Sequence, residues 1–128
     1  ASAAKRLLSG CSPDYIGVIF DPGNLVYEGY ENYRKSFEML GDFIAHIHIK
    51  NGRLEPNGMD ENGIQQWKRT WTPLKVGSAD LKKLFSVMKD MDYKGNVSVE
   101  DFSNQENTYD KLRHNLEYLR WLMKEEKV

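Results

Sequence analysis

The chain has 128 residues, of which 40% are hydrophobic and 29% charged, a composition typical of a single soluble globular domain. The 18 basic and 19 acidic side chains nearly balance, which gives no electrostatic reason to expect nucleic acid or an anionic membrane as a partner. The single cysteine, Cys11, excludes an internal disulfide, and no apolar run approaches the ~20 residues needed to span a bilayer. We therefore expect a cytoplasmic protein.

The first half of the chain predicts two strands, each preceded by a helix. A short helix over 2–9 ends at a glycine, and a strand follows over 15–21. Apolar residues at helical spacing predict a helix over about 27–40. A second strand, over 43–50, completes this half.

The second half begins with a long polar connection over 51–77, which predicts a functional loop rather than a simple turn. Ser78 is expected to cap a helix over about 79–91. A short strand at 96–100 and a final helix over about 107–125 complete the order α-β-α-β-α-β-α. We expect the apolar stripe of the last helix to be buried, and its members are Tyr109, Leu112, Leu116, Leu119 and Met123.

The strand over 43–50 separates into two faces when it is read with a period of two. One face is wholly apolar and suits packing against helices. The other face becomes polar toward the carboxyl end of the strand and carries Ile44, His46, His48 and Lys50. Two histidines and a lysine pointing the same way favour a functional site over a purely structural strand.

On the polar face of each predicted strand an ionisable residue lies near the carboxyl end, and these residues are Asp21, His48 and Glu100. Alternating strands and helices predict a parallel sheet, in which all carboxyl ends lie at one edge, where α/β proteins place their sites. The three side chains are then neighbours. Carboxylates and imidazole are ligands for Mn²⁺, Co²⁺, Zn²⁺ or Mg²⁺, so a divalent metal is the expected cofactor.

Four ordered motifs carry a resemblance to a known family. They are Val-Ile-Phe-Asp-Pro-Gly-Asn at 18–24, Ile-Ala-His-Ile-His-Ile-Lys at 44–50, Pro73-Leu with Gly77, and the run from Tyr93 to Phe102. The chain resembles the C-terminal part of the xylose-isomerase-like barrel family of sugar isomerases and epimerases. The resemblance implies a single partial-barrel domain over 1–128, with about three βα units of a (β/α)₈ barrel that needs ~250 residues when complete.

The resemblance also implies roles for individual residues. Asp21, His48 and Glu100 match three metal ligands, and Glu100 also matches one of two acid/base residues that face each other across the substrate. A fourth ligand, a glutamate from the preceding strand, has no counterpart here. Asn24 stands where many relatives have a histidine and is expected to hydrogen-bond substrate, as is Arg53, near an arginine position of some relatives.

Each of these residues also has an ordinary structural explanation. Asp21 can open the Asp-Pro-Gly turn, His48 can be a hydrogen-bonded core histidine, and Glu100 can be an exposed carboxylate at a strand end. Lys50 is expected either to contact substrate or to pair with a carboxylate. For His46, support of the site or core packing is the preferred interpretation, and for Trp67 and Trp71 it is the cover of a core edge.

The leading functional hypothesis is part of a metal-dependent isomerase or epimerase that moves a proton between adjacent carbons of a sugar or sugar phosphate through an enediolate. Three strands cannot close a barrel, so the chain is expected to belong to a longer product, to assemble with copies of itself, or to be a truncated fragment. One alternative is a non-catalytic binding or assembly module derived from the barrel. A metal-dependent endonuclease is a further alternative, which the near-neutral charge disfavours.

Overall fold

The computed structural model of the chain describes residues 1–125. The helices are α1 (Ser2–Leu7), α2 (Pro22–Glu28), α3 (Tyr33–Leu40), α4 (Leu81–Asp90) and α5 (Thr108–Glu125), with a short 3₁₀ turn at Gly41–Phe43. The strands are β1 (Val18–Phe20), β2 (Ile44–Ile49), β3 (Asn51–Met59), β4 (Gln65–Thr72) and β5 (Asn96–Val99).

The predicted parallel sheet is confirmed, with strand order β1-β2-β5. Ile19 lies beside His46, and His48 lies beside Ser98 on the other neighbour. Among the described residues the sheet has two open edges and the barrel is not closed. Its inner face is accordingly open, since Ile19 is 62% exposed.

The outer face of the sheet forms the core together with the helices. Ile47 and Ile49 of β2 are fully buried in one core cluster with side chains of α3 and α4, and these two helices also contact each other. Burial of apolar side chains between the sheet and the helices is the main favourable contribution to the free energy of folding, and it fixes the position of the strands. The helical residues of this core include Tyr33, Phe37, Leu40, Leu81, Leu84, Phe85 and Met88.

The prediction of one helix over 27–40 is wrong, because the structure has two helices in this region. Pro22 occupies the first turn of α2, where its missing N–H costs nothing, and the Asp21 carboxylate caps that turn. Gly29, with φ of 112°, ends α2 in a conformation that favours glycine. Asn32 then caps α3 by accepting a hydrogen bond from the Lys35 N–H.

The connection over 51–77, predicted as a long functional loop, contains two strands in the structure. β3 and β4 form an antiparallel hairpin whose register runs from Asn51 opposite Thr72 to Met59 opposite Gln65. At the tip, the Asp60 carboxylate accepts hydrogen bonds from two backbone N–H groups that follow it. Alternation was hard to see in the sequence because this hairpin is exposed on most of its surface, so its strands carry few apolar residues.

The face assignment of the strand over 43–50 fails at its beginning. Ile44, predicted on the inner face, is buried in the core, while Ala45 is exposed. The pairing of β1 with β2 shifts by one residue between Val18 and Ile19, as a β-bulge does. From His46 onward the predicted alternation holds, because Ile47 and Ile49 are buried and the intervening histidines are half-buried.

The N-cap of α4 is Asp80 rather than Ser78. The Asp80 side chain accepts a hydrogen bond from the Lys83 N–H. The backbone N–H of Ser78 instead donates to the Gly52 carbonyl at the base of the hairpin, so this residue still belongs to the connection.

The apolar stripe predicted to be buried on α5 is mostly exposed. Asn115, Leu119 and Leu122 are the buried residues of α5, so the helix is rotated relative to the prediction. The exposed members of the predicted stripe are Tyr109, Leu112, Leu116 and Met123.

No helix among residues 1–125 is long and apolar enough to cross a membrane.

Candidate metal centre

The structure brings Asp21, His48 and Glu100 together at the carboxyl end of the sheet. Each offers one ligand atom, and these atoms lie within 4.8 Å of one another. His48 Nδ1 is 3.8 Å from Asp21 Oδ2 and 3.9 Å from Glu100 Oε2. The cause is the topology: β2 lies between β1 and β5, so the residues that end or follow three parallel strands meet at one edge.

Asp21 has two separate contacts, one for each of its carboxylate oxygens. Oδ1 accepts a hydrogen bond of 3.0 Å from the Asn24 backbone N–H and so caps α2. Oδ2 faces His48 and Lys50. The turn at the start of α2 therefore fixes the carboxylate. Asp21 caps this helix and at the same time belongs to the cluster. Asn24 contacts this carboxylate through its backbone N–H, and its side chain is half-buried.

Lys50 lies at the centre of this cluster. Its Nζ is 2.8 Å from Glu100 Oε2 and 3.0 Å from Asp21 Oδ2, and the residue is only 7% exposed. Burial by itself lowers the pKa of this ammonium, but the hydrogen bonds and charges of Glu100 and Asp21 outweigh it, so the pKa is raised above its ordinary value. The structure therefore shows the lysine paired with both carboxylates.

Aromatic rings cover the ammonium of Lys50. Nζ lies 5.1 Å from the centroid of the Trp71 ring and 5.5 Å from that of Phe102, within the range of a cation–π contact. Trp71 packs edge-on against Tyr27 of α2, at 4.9 Å between centroids, which attaches the hairpin to the site. Trp67, by contrast, is 58% exposed further along the hairpin.

Arg53 does not join the cluster. Its guanidinium pairs with Glu55 two residues along β3, with Nη2 2.8 Å from Glu55 Oε1. Glu55 also accepts a hydrogen bond from the Thr70 hydroxyl across the hairpin and lies 3.8 Å from Lys68. Hydrogen bonds from Arg53 and then Thr70 lower the pKa of the Glu55 carboxyl.

His46 belongs to the same face of β2 but has a different partner. Its Nε2 lies 2.6 Å from the Ser98 hydroxyl on the neighbouring strand, and its ring centroid is 6.3 Å from that of His48. The side chain thus links two strands below the metal-ligand candidates, which agrees with the supporting role preferred from the sequence.

Asn51 is a site-supporting residue that the sequence reasoning missed. It is 3% exposed, and its amide makes four hydrogen bonds: it accepts from the N–H groups of Gly52 and Ala79 and donates to the carbonyls of Leu74 and Ala79. These bonds tie the base of the hairpin to the segment before α4, immediately after Lys50. The sequence feature that could have identified Asn51 is its place directly after a strand that ends in the charged residue Lys50.

Asp101 is the second residue that was missed. Its carboxylate accepts hydrogen bonds of 2.8 Å from the Ser103 N–H and from the Asn115 side chain of α5. The Lys111 ammonium donates to the carbonyls of Asp101 and Ser103. This polar anchor fixes the segment that follows β5 on the final helix, and Glu100 precedes it directly.

The side chains at this edge fit a divalent metal. Two carboxylates and an imidazole with open positions are a donor set that Mn²⁺, Co²⁺, Zn²⁺ and Mg²⁺ accept. Metal–ligand bonds of about 2.0–2.2 Å require only a small closing of the observed 4.8 Å cluster. The Lys50 ammonium pairs with the same two carboxylate oxygens, so it has to move away from them before they can bind a metal.

Comparison with known proteins identifies one matching family and two similar solved structures. The model of the xylose isomerase-like TIM barrel family matches residues 1–122. Among solved structures, a xylose isomerase domain protein from Planctomyces limnophilus superposes with a TM-score of 0.68 at 18% identity, over 97% of this chain and 43% of that one. A xylose isomerase-like TIM barrel protein from Mycobacterium smegmatis, solved in complex with magnesium, gives a TM-score of 0.62 at 20% identity, over 90% of this chain and 36% of that one.

A curated relative gives a similar picture of coverage. The uncharacterized protein YfiH of Bacillus subtilis strain 168 is 35% identical over 106 residues, which is 74% of this chain and 33% of YfiH. The chain therefore spans about a third of this relative and less than half of the two solved structures.

Proposed function

Because this chain belongs to the xylose isomerase-like TIM barrel family, we propose that it supplies the metal-binding edge of a divalent-metal-dependent sugar isomerase or epimerase. The observation that carries the proposal is the convergence of Asp21, His48 and Glu100, each from a different strand unit, within 4.8 Å. The substrate class is a sugar or sugar phosphate with a hydroxyl next to its carbonyl.

Asp21, His48 and Glu100 are the residues that would hold the metal. A bound divalent cation supplies Lewis-acid chemistry, because it stabilises negative charge that develops on substrate oxygens. The cap that fixes Asp21 and the Asp101 anchor that follows Glu100 hold these carboxylates in place, so they lose little conformational freedom when a metal binds.

Glu100 is the proposed acid/base residue of this chain. Its carboxylate is half-buried and lies at the open, carboxyl end of the sheet, where it can take a proton from the carbon next to the carbonyl and return it to the neighbouring carbon. Lys50 has three N–H donors and can hydrogen-bond a substrate oxygen once it is released from the carboxylates. Trp71 and Phe102 cover the Lys50 ammonium on one side of the site.

The reaction requires more of the barrel than the three parallel strands described. The inner face of the sheet is open at Ile19, and a substrate needs an opposite wall to be oriented and dehydrated. We propose that further βα units complete the site, in a longer polypeptide or by assembly of copies. The activity proposed here is therefore that of the completed barrel.

Metal binding is the first test of the proposal. Equilibrium dialysis of the purified chain against Mn²⁺ should give one bound ion, while Asp21→Asn and His48→Gln should bind much more weakly. Glu106→Gln is the matched control, because Glu106 is an exposed carboxylate that pairs with His114 on α5. Absence of stoichiometric binding, or equal binding in all four proteins, would reject the metal centre.

Proton transfer is the second test. A protein that contains this segment in a complete barrel should exchange the proton next to the carbonyl of a ketose for deuterium in D₂O, as followed by NMR. Glu100→Gln should abolish the exchange with the fold retained, because the amide cannot accept the proton. Unchanged exchange would exclude Glu100 as the base.

A non-catalytic module is the second candidate, and one observation favours it. The Lys50 ammonium already pairs with both Asp21 and Glu100, so the chain's own lysine offsets one of their two negative charges without a metal. An endonuclease is less well supported, since Lys50 and Arg53 are both held by carboxylates rather than presented to phosphate. Failure of both tests above, with the fold intact, would favour the non-catalytic module.

A further inference from the structure

The Lys50 ammonium lies between the carboxylates of Asp21 and Glu100, where a metal bound by both would also have to lie. Its Nζ hydrogen-bonds Asp21 Oδ2 and Glu100 Oε2, and these are the same oxygens that face His48 Nδ1. A metal held by Asp21 and Glu100 and the ammonium of Lys50 cannot both approach these oxygens closely, because the two cations would repel each other at short range.

Two aromatic rings lie next to the ammonium in its present position beside the carboxylates. Trp71 and Phe102 lie 5.1 and 5.5 Å from Nζ, and their rings contact each other with centroids 5.5 Å apart. The faces of aromatic rings attract a cation, and the flexible four-carbon stem of lysine allows its head group to move without moving the backbone. The stem itself is held, because Gly23 of α2 packs against it.

We infer that Lys50 is an internal counter-ion of the metal centre: it holds Asp21 and Glu100 together when no metal is bound, and a divalent cation displaces its ammonium toward the rings of Trp71 and Phe102. This inference rests on the proposed metal site and adds to it a residue that positions the ligands and sets the metal affinity. It predicts that the lysine opposes metal binding, whereas a lysine that supported the metal ligands would strengthen binding.

The test compares Lys50→Met, which keeps the length of the stem and removes the charge, with the unchanged chain. We expect the variant to bind Mn²⁺ about tenfold more tightly in equilibrium dialysis, within the usual range of coupling between two bound species. Lys68→Met is the matched control, because Lys68 is an exposed lysine beside Glu55 on the hairpin, and its removal should leave the Mn²⁺ affinity unchanged.

Thermal unfolding provides a second readout that does not depend on activity. In EDTA the Lys50→Met chain should unfold at a temperature lower by roughly 4 °C or more, because the buried Asp21 carboxylate and the half-buried Glu100 carboxylate lose their counter-charge. Saturating Mn²⁺ should remove this difference, since the metal replaces the missing charge. If Lys50→Met does not fold, ¹³C-lysine NMR of the unchanged chain serves instead, and the Lys50 side-chain signal should shift on adding Zn²⁺.

The outcomes separate this inference from the proposed function. Mn²⁺ binding that is equal or weaker in Lys50→Met, or a Lys50 signal that does not respond to Zn²⁺, overturns the counter-ion role while the metal centre stands. Tighter binding with the thermal rescue supports both. Absence of Mn²⁺ binding in every protein overturns both, whatever the effect of Lys50→Met on stability in EDTA.

Discussion

The backbone of Gly23 in α2 packs directly against Lys50 at the end of β2. A Cβ placed on Gly23 would lie 2.5 Å from the Lys50 Cγ and 2.9 Å from the Lys50 carbonyl oxygen. The glycine of the Asp-Pro-Gly sequence is thus required by the close approach of helix and strand at the lysine stem.

Gly23→Ala should destabilise the chain by about 1–3 kcal/mol, the usual cost of inserting a methyl group into a packed contact. The clash involves the Lys50 backbone as well as its side chain, so a rotamer change cannot relieve it. Urea unfolding followed by circular dichroism measures the difference. Glu28→Ala, at an exposed position in the last turn of the same helix, should be nearly neutral, and an equal effect of the two substitutions would contradict the prediction.

Two histidines two residues apart on β2 should respond differently to substitution. His48→Gln should lose Mn²⁺ binding, because His48 Nδ1 faces the two carboxylates. His46→Gln should retain it and cost about 1 kcal/mol of stability, since His46 makes its hydrogen bond to Ser98 instead. Equilibrium dialysis and urea unfolding of the two variants provide the comparison, and loss of Mn²⁺ binding in His46→Gln would show that this residue is a ligand.

Asn51→Asp should destabilise the chain by about 2 kcal/mol or more, because the carboxylate cannot donate the bonds that the amide gives to the Leu74 and Ala79 carbonyls. The substitution preserves shape, so the loss reports the buried hydrogen bonds and charge rather than a cavity. Asn62→Asp, at the exposed tip of the hairpin, is the matched control for adding one charge. Equal urea midpoints for the two variants would mean that the hairpin base does not depend on Asn51.

Asp101→Ala should also destabilise the chain, by about 1–3 kcal/mol, because Asn115 and the Ser103 N–H lose a charged acceptor. Since Glu100 is the next residue along the chain, we also expect weaker Mn²⁺ binding. Asn115→Ala should reproduce part of the loss of stability. Full stability in Asp101→Ala, measured by urea unfolding, would show that the polar anchor is dispensable.

The hairpin carboxylate Glu55 should titrate below the ordinary range of a glutamate. The hydrogen bond from Arg53 is the main cause and that from Thr70 the second, so the pKa of Glu55 is lower in the folded chain than in the unfolded chain. A depressed folded-state pKa contributes stability above the unfolded-state pKa, and this contribution is lost as the pH falls through the folded-state value. Carboxyl NMR titration should show the pKa rise in Arg53→Gln, and an unchanged pKa would contradict the assignment.

The sequence predicted the parallel strands and the three residues at their carboxyl ends, because both follow from local patterns. Alternation along 43–50 put His46, His48 and Lys50 on one face, and the parallel order brought the strand ends together. Apolar residues at helical spacing in α4 are likewise all buried, as that spacing predicts, and they are Leu81, Leu84, Phe85 and Met88. Periodicity identified the buried face of these two elements because the described fold supplies the neighbours that cover it.

The partners of the site residues were decided by tertiary structure. Whether Lys50 contacts substrate or a carboxylate depends on how α2 packs against β2. Arg53 pairs with Glu55 in a hairpin whose polar strands have weak periodicity, so this pairing could not be predicted from the sequence. The orientation of α5 was likewise not fixed by its apolar stripe, because the described fold leaves Leu112 and Leu116 exposed. Local pattern determines which residues end a strand, whereas contacts between distant segments determine what those residues touch, since such contacts depend on packing that no single stretch of sequence encodes.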